Sequence, residues 1–141
     1  MEWPRFRNKV SGSTTKALGD AAEDAALEHL QSAGLRLVQR NFRTPGRGGG
    51  EIDLIMRERD GTLVFVEVRR RASRSHGGAA ASVGAVKQRR IVFAARHYLL
   101  RVQPLPPCRF DVVLVQGEIG THTTLLGIEW IQGAFDAGDR C

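Results

Sequence analysis

The sequence predicts a mixed α/β domain built on one sheet, and three observations carry that prediction. Apolar residues recur at helical spacing in two separate stretches, Ala17 to Ala33 and Ser82 to Leu100. Three short apolar runs suited to strands lie between them and two more follow. The 141 residues are 42% hydrophobic and 26% charged, which suits one compact domain with a sizeable core. Helix, three strands, helix, two strands is an order that one mixed sheet accommodates.

Taken in order, residues 1 to 16 are polar and lack a period, so they are expected to form a flexible arm. The first helix follows, with Leu18, Ala22, Ala25, Ala26, Leu30 and Ala33 spaced at three and four, and Gly34 as its stop. Glu23 lies on or beside that packed face. Leu35 to Arg40 reads as a strand, and Thr44 to Gly50 (TPGRGGG) as a glycine loop able to approach a phosphate backbone closely through Arg47. It lacks the Gly-Lys-Ser/Thr ending of a P-loop. Ile52 to Met56 and Leu63 to Arg69 form a hairpin through Asp60-Gly61, and Arg70 to Gly78 is a basic loop. After the second helix, Pro104, Pro106 and Pro107 extend the chain into a strand at Phe110 to Val115. Gly117 to Gly120 then turns it toward a last strand, Thr124 to Trp130. The domain is thus expected over 17 to 135, with 136 to 141 as a tail.

The net charge is +6, and it is unevenly placed: residues 36 to 101 hold fifteen Lys and Arg against five acids, while the flanks are net acidic. A basic centre favours a polyanionic partner, and arginine forks onto phosphate better than lysine does. No apolar run is long enough for a membrane span and no secretory signal is read at the start. Cys108 and Cys141 show no metal spacing and no disulfide framework, which favours a reducing cytoplasm. The four histidines lie too far apart for zinc, and no Ser or Cys nucleophile has a partnered His. Trp3 and Trp130 read as packing or tail residues.

The hairpin carries the chemistry, and two registers are open. A two-residue turn pairs Asp53 with Val68 and puts Asp53 and Glu67 on opposite faces. A three-residue loop, Arg59-Asp60-Gly61, pairs Glu58 with Thr62 and sets Asp53 directly against Glu67. Carboxylates 4 to 5 Å apart repel by roughly 4 kcal/mol at an effective dielectric near 20, so that register calls for a cation such as magnesium or manganese. Arg69, two residues after Glu67, shares its face. The alternative is a cross-strand ion pair at a sheet edge.

Gly50 to Ile55 (GEIDLI), Val64 to Arg69 (VFVEVR) and Arg109 to Val113 (RFDVV), in that order, resemble the bacterial YraN-like (UPF0102) family, taken as relatives of Holliday-junction resolvases within the PD-(D/E)xK nuclease superfamily. The resemblance runs from about Gly19 to Phe135. It implies a restriction-endonuclease-like three-layer domain, a mixed central sheet flanked by helices, and a metal-dependent endonuclease acting on nucleic-acid phosphodiesters, branched DNA among them. Residue by residue it implies that Glu23, Asp53, Glu67 and Arg69 are catalytic, with Asp53 and Glu67 holding Mg2+ or Mn2+. Glu51 is a lesser candidate, expected to alternate away from Asp53. Arg47, Arg70, Arg71, Arg74, Lys87 and Arg90 are the expected contacts to nucleic acid, whereas Arg89 reads as a solvated helix face.

The superfamily has lysine where this chain has Arg69. Arginine stays protonated, so it can hold charge but cannot act as a base. A second reading is therefore a non-catalytic nucleic-acid-binding module or adaptor in a DNA-processing assembly, and a third is a pure protein-interaction domain. Cleavage of a four-way junction would suit a homodimer, although no heptad or long apolar edge demonstrates one.

Overall fold

The computed structural model describes residues 3–71, 83–118 and 124–137. Helix α1 (Trp3–Ser32) precedes strands β1 (Arg36–Arg43), β2 (Glu51–Arg57) and β3 (Leu63–Arg71); helix α2 (Ala85–Leu99) precedes β4 (Cys108–Glu118) and β5 (Thr124–Phe135). The strands form one sheet in the order β1-β2-β3-β4-β5. Every neighbouring pair is antiparallel except β3 and β4, which are parallel. A parallel pair needs a crossover, and α2 lies within it. The result is the three-layer α/β arrangement expected of a restriction-endonuclease-like domain.

Alternation along the strands fills both faces. Ala22, Ala26 and Leu30 of α1 pack against Leu54, Met56, Val64, Val66, Val113 and Val115, while Ile91, Ala94, Ala95 and Tyr98 of α2 pack against Ile55, Leu63, Phe65, Phe110 and Val112. These side chains are almost wholly removed from water. At roughly 25 cal/mol per Å² of apolar surface, they are the main support of the fold. The small residues at 22 and 26 give α1 a close approach to the sheet.

Several boundaries differ from the sequence expectation: β1 runs on from Arg40 to Arg43, and β4 extends to Cys108 and Glu118, taking in Gly117 and Glu118 of the expected turn through pairing with β5. Residues 3 to 16 continue α1 rather than forming an arm, because adding a turn to an existing helix avoids the cost of nucleation and Pro4 stands in the first turn, where its missing N–H costs nothing. Arg70 and Arg71 belong to β3, carried on by pairing with Val115 and Gln116 of β4. β5 runs past Trp130 to Phe135 because a bulge absorbs Gly133, whose φ of 60° only glycine adopts at no cost. Residues 72 to 78 of the expected basic loop, with Arg74, and 119 to 120 of the expected turn lie outside the described residues.

Asp111 holds that bulge in place. It is fully buried on the α1 side of the sheet and accepts hydrogen bonds from Arg109 Nε at 3.0 Å, Trp130 Nε1 at 2.8 Å and Gly133 N at 2.9 Å. Arg109 also pairs with Glu58. The aspartate of the RFDVV motif is therefore a satisfied structural carboxylate, and Trp130 packs as expected. Asp111→Ala leaves three donors without an acceptor and is expected to cost about 3 kcal/mol, read as a lowered midpoint in urea unfolding.

Cys108 is disulfide-bonded, which corrects the expectation of no disulfide. Sequence spacing does not limit which cysteines a fold brings together, so cysteine usage gives no argument for a reducing compartment. Among the described residues no helix is long and apolar enough to cross a membrane.

Candidate functional site: a facing carboxylate pair beneath a basic helix

The hairpin adopts the three-residue loop. Glu58 N–H donates to the Thr62 carbonyl at 2.9 Å, Gly61 has φ 97°, and the ladder runs from Arg57 opposite Leu63 to Leu54 opposite Val66. One more step sets Asp53 against Glu67, on the face that α2 covers. There the main-chain ladder gives way, and Val68 N–H donates instead to Asp53 Oδ2 at 2.7 Å. The aspartate is thus fixed by the strand that carries its partner.

Burial and the neighbouring Glu67 charge push the Asp53 carboxyl up to about 7. Glu67 is likewise raised by burial, against the opposing pull of Lys87, Arg69 and a hydrogen bond with Asp53. Lys87 reaches in from α2, its Nζ 3.7 Å from Glu67 Oε2. Its own side chain is half exposed, whereas that of Glu67 is only 11% exposed. The ammonium of α2 therefore stands where the arginine of β3 alone could not supply one.

Glu23 acts on Asp53 through its charge. Its carboxylate is held by Arg40 of β1 at 3.2 Å, and the same guanidinium meets Asp24 at 3.0 Å. Burial works against that guanidinium, but its two acid partners prevail and its pKa is raised. Sequence reasoning missed Arg40, since nothing in a strand's period says which helix residue it will meet. Glu51 corrects another expectation. Residues two apart on a strand share a face, and its charge raises both Asp53 and Glu67. Asn41, opposite Asp53 in the β1–β2 register, takes φ 51° and breaks the regularity of β1 beside the site.

Two clefts adjoin the pair, and Lys87 lines both. One, of about 350 Å³, is walled by Arg43, Glu51, Lys87 and Arg90 above the glycine turn. The other, of about 360 Å³, is lined by Glu67, Arg69, Arg70 and Lys87. Arg47 sits exposed in the turn and Arg71 further along β3, and neither lines these clefts. Arg89 lies elsewhere on α2, as its solvated reading anticipates. Among the described residues no three His, Cys, Asp or Glu side chains gather as a metal cage. Asp53 and Glu67 are the facing carboxyls that could hold a cation.

Gly50 sets the height of α2 above the pair. A Cβ there would meet the Arg90 carbonyl oxygen at 2.0 Å. Gly50→Ala must therefore displace α2 and with it Lys87. It is expected to cost about 2 kcal/mol of stability and to lower any activity of the site more than it lowers the fraction folded, as measured by denaturation beside an activity assay.

The family model described as "Uncharacterised protein family UPF0102" matches residues 22–115. The chain is 68% identical over 126 residues to a UPF0102 protein of Paracidovorax citrulli, covering 89% of this chain and 87% of the relative. It is 61% identical over 137 residues to one of Albidiferax ferrireducens, covering 97% and 99%. A UPF0102 protein of Cupriavidus taiwanensis is 55% identical over 122 residues, covering 86% and 85%. The matched span contains α2 and the Asp53 and Glu67 strands together with Glu23, and on this similarity the chain belongs to the UPF0102 family.

Proposed function

We propose that this protein is a metal-dependent nuclease that hydrolyses phosphodiester bonds of nucleic acid, with branched DNA as the first substrate to try. The observation that carries the reading is the facing of Asp53 and Glu67, two carboxyls so placed that one keeps its proton to near neutrality. Two hard oxygen ligands that together lack one charge fit Mg2+ or Mn2+, which commonly bind through one or two carboxylates, water and substrate phosphate. When bound, such an ion lowers the pKa of water and offsets charge on the phosphoryl oxygens.

The chain's own residues do the rest. Asp53 and Glu67 would hold the ion. Lys87 and Arg69 face the non-bridging oxygens of the phosphate and stabilise the charge that develops there. Arg70 and Arg90 hold the flanking backbone, with Arg47 and Arg71 as further contacts. Glu23, steadied by Arg40, strengthens the local field for a cation. Many arginine contacts to phosphate make binding weaken steeply with salt. This is a reading of DNA as partner; a homodimer, which would place two such sites on a symmetric junction, belongs to the same proposal.

The non-catalytic reading has one observation in its favour: Lys87 already offsets part of the charge of Glu67 without any metal. The deciding experiment is cleavage of labelled four-way junction, flap, single-stranded and duplex DNA with magnesium or manganese, the parent run beside Asp53→Asn. Cutting by the parent alone supports the nuclease. Tight, salt-sensitive binding with no cutting in either ion would instead establish the adaptor.

A further inference from the structure

We infer that the cleft walled by Arg43, Lys87 and Arg90 above the 44–50 turn is a second phosphate subsite, which receives the phosphodiester next to the one lying at Asp53 and Glu67. The inference rests on the nuclease reading for what brings a nucleic acid there. The construction of the cleft supplies the rest.

Three cations and one carboxylate line it. That carboxylate, Glu51, is already offset by Arg43, whose Nε lies 3.6 Å from Glu51 Oε1. The cleft therefore keeps a positive balance, two of its cations being arginines able to fork onto phosphate oxygens.

Its floor is built and bare. Thr44 N–H donates to the Gly50 carbonyl at 3.1 Å and Gly50 N–H donates to Thr44 Oγ1 at 2.9 Å, so the turn is closed at its base. Thr44 is itself buried. Gly46 and Gly48 take φ of 83° and 68°, and a Cβ on Gly49 would strike Thr44 Oγ1 at 1.7 Å. Glycine is thus required there on two separate grounds, conformation and space, and the main chain is left open to a close approach.

Lys87 links this cleft to the one holding Glu67, Arg69 and Arg70. A single strand crossing Lys87 places one phosphate on each side of the carboxylate pair. Cations on both sides favour an internal bond over a chain end.

The test uses inorganic phosphate as probe, followed by amide NMR on the whole protein. Saturable shifts at Gly46, Gly48 and Gly49 are expected, with affinity reduced at least about tenfold in Arg43→Gln/Arg90→Gln and unchanged in Arg36→Gln, at the far end of β1. If the double variant loses its fold, Arg90→Gln alone carries the comparison. The same proteins are then given a four-way junction with magnesium or manganese, where the variant is expected to show a raised KM and little change in kcat. No saturable shift at the turn, or equal affinity in parent and variant, overturns the subsite, whether or not the junction is cut. Turn shifts that vanish in the variant, with no junction cut by the parent, keep the phosphate site and remove the nuclease.

Discussion

Asp53→Asn is expected to abolish metal-dependent cleavage and, in metal-free buffer at pH 8, to raise the melting temperature by several degrees. Both effects come from one arrangement. The folded-state pKa of Asp53 is pushed up to about 7, from 3.8 in an ordinary environment, first by burial and then by Glu67. Between about pH 4 and pH 7 the native protein holds a proton that the unfolded chain has released, so stability falls as pH rises through that window. Above it the penalty is fully present. A rise from 3.8 to about 7 corresponds to about 4 kcal/mol as an upper bound, and competition from Glu67 for the same proton brings the expected figure nearer 2 kcal/mol. Asparagine cannot ionise, keeps nearly the same volume, and can still accept the hydrogen bond from Val68 N–H. The variant should therefore match the parent at pH 4 and exceed it at pH 8. Magnesium or manganese should raise the melting temperature of the parent and leave that of the variant unmoved, since only the parent offers two anionic ligands. Thermal unfolding from pH 4 to 8.5, with and without metal, reads all of this. Equal stability of parent and variant at pH 8 would show that Asp53 and Glu67 do not crowd one another in solution.

That arrangement was half visible in the sequence. The Asp60-Gly61 turn admitted two registers of opposite consequence, and the choice between them depends on whether Asp60 joins Gly61 in a left-handed conformation, which local sequence leaves undecided. The elements themselves were legible because their signals are periodic: Ala22, Ala26 and Leu30 mark one helix face, and the β-branched run Val64, Val66 and Val68 marks one strand face. Contacts between elements were not. Lys87 reaches Glu67 only because α2 crosses back over the sheet, and Arg40 meets Glu23 because β1 lies beside α1. Neither approach leaves a mark on spacing. Arg43 lay beyond the expected strand end at Arg40, and only the closed turn next to it makes it a wall. Glu51 was legible and misread: the period of two that joins Glu67 to Arg69 also joins Glu51 to Asp53. Residues 3 to 16 lacked any period, and α1 continues through them by backbone hydrogen bonding, which asks little of side-chain pattern.

Lys87→Met is expected to lower the cleavage rate by roughly 10² to 10³, the cost typical of removing one donor aimed at developing charge. The change should fall mainly on kcat, because an interaction that strengthens in the transition state lowers kcat without a matching rise in KM. Lys87 is well placed for that part: its Nζ lies 3.7 Å from the Glu67 carboxylate, on a half-exposed stem that can turn toward substrate. Arg69 shares the face of Glu67 and lowers its pKa as Lys87 does, so in the proposed nuclease the two cations would act together on the developing charge. Arg69→Lys introduced into Lys87→Met should then recover part of the lost rate, since a compact ammonium would return beside Glu67 from β3. Methionine keeps the length and apolar stem of lysine, so α2 should stay seated over Gly50 and the melting temperature should change little. A loss confined to KM, with kcat intact and no recovery from Arg69→Lys, would make Lys87 a backbone-phosphate contact and leave the charge at the reacting bond to Arg69 and the metal.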